Sequence, residues 1–99
     1  MGVQMKMTWS PAKRAQNLKK HGLDFEIAQY VFDDPYHLSE QDRIENYEYR
    51  WRIIGMVNSI VIMVGCNYEE EDGEETIRII TARKATSTER RQYHETQRF

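Results

Sequence analysis

Apolar residues change their spacing twice along this chain of 99 residues. Met5, Met7 and Trp9 alternate with polar neighbours, the period of a strand, and so short a run suits a sheet edge. Ser10-Pro11 then predicts a helix start, because serine is a good N-cap and proline fits the first helical position. The expected helix passes Ala15 and Leu18 and reaches Lys19-Lys20-His21, cations where the helix dipole favours them. Gly22 is placed to end it. Asp24 can cap a second helix, whose Phe25, Ile27, Ala28, Val31 and Phe32 form one broad apolar face. Asp33-Asp34-Pro35 closes that segment.

From Tyr36 the period becomes two. Tyr36 to Leu38 can open a strand, Tyr47 to Met56 reads as another, and Ile60 to Cys66 as a third. The Val57-Asn58-Ser59 link suits a tight hairpin. Ile60 to Val64 is apolar at every position, which predicts a central strand covered on both faces. Glu69 to Glu75, with Asp72-Gly73 inside it, is a second hairpin connection. Ile77 to Arg83 is the last strand, and Thr86 to about Arg98 the last helix. The pattern predicts an α+β fold in the order β-α-α-β-β-β-α, with an antiparallel sheet packed against helices.

Composition fits one domain over residues 1–99 with a single core. Apolar content is 39% and charged content 30%, too apolar for intrinsic disorder. The formal net charge of -2 gives no general case for nucleic-acid binding, but the charge is unevenly spread. Residues 1–30 hold five Lys/Arg against two Asp/Glu, and residues 76–99 hold six against two. Residues 31–50 hold two against six, and residues 51–75 one against six. A fold that joins the two ends would make a positive surface. The lone Cys66 follows an apolar run and reads as a buried small hydrophobe. Ile60 to Val64, the longest apolar stretch, is far too short to span a membrane. A cytoplasmic protein is the expectation.

The densest chemistry lies between Arg78 and Arg91. A β-branched run ends in Arg83-Lys84, and Thr86 to Glu89 is a capping box in which side chain and backbone satisfy each other reciprocally. The helix start lies beside Arg83 and Lys84 and carries Arg90 and Arg91. Helix N-termini already favour anions. Extra cations there oppose the dipole, so an anionic group, most simply a phosphate, is the expected visitor. His21, His37 and His94 have no metal-ligand spacing, one cysteine makes no zinc site, and no Gly-rich phosphate loop or serine nucleophile motif is present. No metal or cofactor is expected.

Two stretches resemble one known family. Trp9-Ser10-Pro11-Ala12-Lys13, Asn17, Lys20-His21-Gly22, Phe25, Ala28 and Val31 to Pro35 are similar to the N-terminal signature of the BrnT toxins. Ile79 to Thr86 with Glu89-Arg90 is similar to their C-terminal one. The likeness runs from about Met7 to Tyr93. It implies a RelE-like fold and a metal-independent ribonuclease that blocks translation. It also implies neutralisation by a BrnA antitoxin whose ribbon-helix-helix part binds the promoter, so that the toxin reaches DNA only through that complex. A dimer bridged by antitoxin is implied as well.

Metal-free RNA cleavage needs a base for the 2′-hydroxyl, an acid for the departing 5′-oxygen, and cations for the charge on phosphorus. Acid–base groups contribute roughly 10²–10⁴-fold. A fixed donor or cation contributes about 10²–10³-fold. His21 is the expected proton-transfer group, weighed against a simple helix-capping role. Arg83 and Lys84 are the expected charge stabilisers, weighed against an ion pair with the acidic middle of the chain. Lys13 and Lys20, two turns apart with Asn17 between them, form a candidate phosphate track. Arg78 is expected on one strand face with Ile80 and Ala82, its cation either at a sheet edge or reaching the RNA phosphates. Arg50 and Arg52 share a strand face. Glu89 reads as a cap rather than a base. Arg90 and Tyr93 are candidates to present a cation and a stacking ring to RNA. The other reading is a non-catalytic or degenerate homologue that holds its antitoxin and helps to repress its own operon.

Overall fold

The computed structural model describes residues 5–97. Strand β1 (Lys6–Thr8) precedes helix α1 (Pro11–His21) and the short helix α2 (Phe25–Ala28), which continues as a 3₁₀ turn over Gln29–Asp33. Strands β2 (Leu38–Glu45), β3 (Glu48–Val57), β4 (Ile60–Glu71) and β5 (Glu74–Lys84) follow, then helix α3 (Ser87–Glu95). The sheet order is β1-β5-β4-β3-β2, antiparallel except where β1 runs parallel to β5. The α+β class is as expected, with β4 in the centre. The order is corrected by one strand, since four rather than three follow the helices. Leu38 opens a full strand of eight residues, which runs on to Glu45. Its residues from Gln41 onward are exposed and unpatterned, so backbone pairing to β3, rather than apolar alternation, makes it a strand.

The expected caps are all present. Ser10 accepts from the Lys13 amide, Asp24 from the Glu26 amide, and Gly22 stops α1 in the left-handed region at φ 71°. Three two-residue turns join the last four strands: Asn46-Tyr47, Asn58-Ser59 and Asp72-Gly73, each with φ positive at both residues. That geometry matches the twist of hairpins.

Strand alternation divides the core between the two faces of the sheet. Phe25, Ala28 and Val31 cover Ile53, Ile62, Val64, Cys66, Ile77, Ile79 and Ala82 on one face. On the other, α3 supplies Tyr93 against Ile54, Val61, Met63 and Ala85. Asp34 ties these layers together. Its carboxylate accepts from the Met56 amide at 2.8 Å, the Tyr36 amide at 2.9 Å and the Tyr93 hydroxyl at 2.5 Å.

Candidate functional site

β1 pairs with β5 only as far as Arg78, which leaves the edge of β5 open at Ala82. Helix α1 fills that gap. The Asn17 amide nitrogen donates to the Ala82 carbonyl at 2.8 Å, and its oxygen accepts from the Ala82 amide at 3.0 Å. One side chain thereby replaces a strand partner. The expected track along Lys13, Asn17 and Lys20 is corrected, because its middle residue is buried against the sheet. Lys13 and Lys20 stay exposed at either end.

The face beneath α3 changes character along the strands. Cross-strand rows there are Leu38, Ile54, Met63 and Arg83, then Glu40, Arg52, Gly65 and Thr81, then Asn67 and Arg78. The apolar end lies under α3 and the arginine end lies beyond it. Between Thr81 and Ile79 the register skips Ile80, a β-bulge opposite the Gly65/Cys66 step. The extra residue puts Arg78 and Arg83, five apart in sequence, on the same face. It also corrects the expected sharing of a face by Arg78 and Ala82, since Ala82 belongs to the opposite core.

Alternation separates two other expected partners. Arg83 grips Glu89 of α3 through both carboxylate oxygens, at 2.7 and 3.1 Å. Lys84 pairs across the ladder with Ile62 on the opposite face and is exposed. The partner of Arg83 is therefore Glu89 rather than the acidic middle of the chain. Glu89, 4% exposed, also completes the capping box through the Thr86 amide at 2.8 Å. Arg52 lies 3.7 Å from the same carboxylate and donates to Glu40 at 2.7 Å. Burial alone would raise the Glu89 pKa. Arg83, the Thr86 amide and Arg52 outweigh it and hold the carboxyl below its usual range. The Arg52 guanidinium is pushed the other way, upward, chiefly by Glu40.

Past Trp51 and Cys66 the two hairpins part. β3 pairs with β4 only from Trp51↔Cys66 to Val57↔Ile60, while β2–β3 and β4–β5 continue paired to their own tips. A fork results. Glu48 spans it, accepting from the Asn67 amide nitrogen at 2.6 Å. Lys13, Arg50 and Arg78 converge with Asn46, Glu48, Asn67 and Ile80 around a cavity of about 290 Å³. Among the described residues, the buried Nε of Arg50 has no hydrogen-bond partner, and the Glu45 carboxylate stands 3.8 Å from it. Arg78 stands equally loosely against Glu69 at 3.8 Å. Both guanidiniums are free to take a better acceptor.

The structure thus brings Lys13 and Arg78 together and adds Arg50, whose strand-face position alone was visible in the sequence. The other expected residues lie elsewhere. His21 is half-buried at the far end of α1, eight residues and about 12 Å of helix from Lys13. Arg90 is exposed and donates to the Ala85 carbonyl at 2.8 Å. Tyr93 is corrected: 2% exposed and bonded to Asp34, it presents no ring to a ligand. A wider cavity of about 660 Å³ at the opposite end of the sheet is lined by Asp33 and Asp34, a setting that repels phosphate. Among the described residues, no three or more His, Cys, Asp or Glu side chains gather as a metal site, and no helix is long and apolar enough to cross a membrane.

These features define a small α+β protein with a cation-lined fork on one sheet face, the setting of an anion-binding module. The family comparison is more specific. Residues 9–89 match the family described as the ribonuclease toxin BrnT of type II toxin–antitoxin systems, and the chain belongs to that family. A comparison with curated proteins gives no match. Membership makes the chain a ribonuclease toxin whose system supplies an antitoxin partner.

Proposed function

We propose that this toxin cleaves RNA without a metal, by attack of a 2′-oxygen on the adjacent phosphorus. The 2′-O–P bond forms as the P–O5′ bond breaks, leaving a 2′,3′-cyclic phosphate and a protonated 5′-oxygen. The single observation that carries the proposal is the convergence of Lys13, Arg50 and Arg78 on one cavity, with guanidiniums not saturated by carboxylates. Such cations stabilise the charge that grows on the phosphoryl oxygens. Glu48 is the carboxylate lining that cavity and can accept the 2′-hydroxyl proton; His21, at the far end of α1, takes that role only if the scissile phosphate sits there instead. Lys20, Lys84 and Arg90 carry positive charge beyond the cavity for flanking phosphates, and Arg83, fixed by Glu89, lies outside the cavity lining.

The proposed partner is a BrnA-like ribbon-helix-helix antitoxin that covers this cationic face, bridges a toxin dimer, and alone contacts promoter DNA. One observation favours a second reading, of a non-catalytic co-repressor: Arg83, in the C-terminal signature, is already neutralised by Glu89. The deciding experiment incubates purified protein with RNA in EDTA. Cleavage with cyclic-phosphate ends, lost in Arg50→Ala, supports the first reading. Intact RNA at high protein concentration supports the second. Glu48→Gln and His21→Ala then separate the two proton-transfer candidates.

A further inference from the structure

The fork has a second side. Opposite the cationic cavity, Tyr47, Tyr49, Trp51 and Tyr68 surround a cavity of about 360 Å³, with Glu48, Asn67 and Glu69 completing its wall. Trp51 and Tyr68 meet edge to face with ring centroids 5.7 Å apart. Tyr49 and Tyr68 are 57% and 43% exposed, although both lie in strands whose neighbouring segments are well packed. Tyr47 projects fully into solvent from a left-handed position, φ 64°, in the β2–β3 turn. Trp51 also packs against the core, but the three tyrosines around the opening take no part in either core cluster.

Asn67 points independently to a binding site here. It is 3% exposed, its nitrogen is committed to Glu48, and its Oδ1 has no partner among the described residues. A buried amide oxygen without a donor keeps the full cost of its lost hydration unless something completes it. Asn67 and Glu48 line both cavities. A ligand here meets cations on one side, aromatic rings on the other, and an acceptor pair between them. A nucleotide has that layout: an anionic phosphate, a flat ring system, and ring N–H or exocyclic amino donors.

Resting on the ribonuclease reading, we infer that the aromatic side of the fork is a nucleobase pocket. It takes one unpaired base of single-stranded RNA onto Tyr49 and its neighbours while the adjoining phosphate lies on Lys13, Arg50 and Arg78. The base must be unpaired, because a duplex keeps its ring faces stacked and beyond reach. An N–H on the base edge donates to Asn67 Oδ1. The stacking role that the sequence suggested for Tyr93 thereby passes to residues at the opposite end of the sheet.

The test measures binding of the whole protein to a short 2′-O-methyl RNA, which cannot be cleaved, and to the same backbone lacking all bases. Stacking of one base predicts roughly tenfold tighter binding of the complete strand. Tyr49→Ala and Tyr68→Ala should fall to the level of the base-free strand and lose nothing further on it. Tyr30→Ala, exposed at the far end of the molecule, should keep the full preference. Unchanged circular dichroism verifies folding. A wild type that cuts RNA but binds both strands equally overturns the base pocket alone, and one that binds neither strand overturns both readings. If Tyr49→Ala loosens the antitoxin and leaves strand binding unchanged, the surface is a protein interface and the inference fails.

Discussion

Asn17 holds Ala82 by both of its backbone polar groups across 65 residues of sequence. The same nitrogen donates to the Leu23 carbonyl at 2.9 Å, so the turn after α1 depends on it as well. Asn17→Ala would leave a buried amide and carbonyl of β5 unpaired, which costs about 2–4 kcal/mol in all. Urea denaturation should show a lower midpoint at an unchanged slope. Loss of stability no greater than for Gln16→Ala, an exposed neighbour, would show that water replaces the side chain.

Much of the fold was legible because it is encoded locally. Ser10, Gly22, Asp24 and the Thr86–Glu89 box act within three or four residues, and apolar residues at every position from Ile60 to Val64 place that strand at the centre. Strand β2 was largely hidden because a solvated edge strand carries no apolar alternation. The site was less legible, since its parts meet through pairing. A one-residue bulge at Ile80 decides which face Arg78 takes, and alternation alone sends Arg83 and Lys84 apart. The fork exists because two hairpins stop pairing at Trp51 and Cys66, which no local pattern announces. Tyr93 looked like a surface ring because α3 is mostly polar. Its hydroxyl is instead satisfied by Asp34, 59 residues away in sequence.

Tyr93→Phe isolates that hydroxyl. The phenol is held neutral, its pKa pushed up to about 12 first by burial and then by the nearby Asp34 carboxylate. Removing it takes one donor from Asp34 and leaves the Met56 and Tyr36 amides in place. Thermal unfolding should show a loss of about 1–2 kcal/mol, with RNA cleavage per folded molecule unchanged. A fall in cleavage with stability intact would return Tyr93 to the site.

Acid should unfold the protein through Asp34 and Glu89. Burial would raise both carboxyls. Tyr93 and the Met56 and Tyr36 amides hold Asp34 down, and Arg83, the Thr86 amide and Arg52 hold Glu89 down. Groups depressed on folding stabilise fully above their unfolded values, about pH 4 to 4.5, and that stability is lost as pH falls through the folded values. The denaturation midpoint should hold between about pH 7 and 5 and drop below about pH 4. Glu89→Gln keeps an acceptor for Thr86 but loses the charge facing Arg83. It should cost about 1–3 kcal/mol at pH 7, tempered by the partial exposure of Arg83, and should flatten the acid limb. An acid limb identical to wild type would mean that other carboxylates carry it.

Arg50 and Arg83 share a face but not the same pairing, and salt should separate them. The charge of Arg83 is spent on Glu89 at hydrogen-bond distance, whereas Arg50 faces its carboxylate neighbour at 3.8 Å. Each cation that neutralises a phosphate of single-stranded RNA contributes roughly 0.7 to the slope of log affinity against log salt. Arg50→Gln should therefore shallow that slope by about 0.7 and weaken binding similarly across RNA sequences, with stability little changed. Arg83→Gln should leave the slope near wild type while destabilising the fold, because it strands the Glu89 carboxylate under α3. The reverse pattern would move the phosphate from the fork to the exit of β5 and restore Arg83 as its ligand.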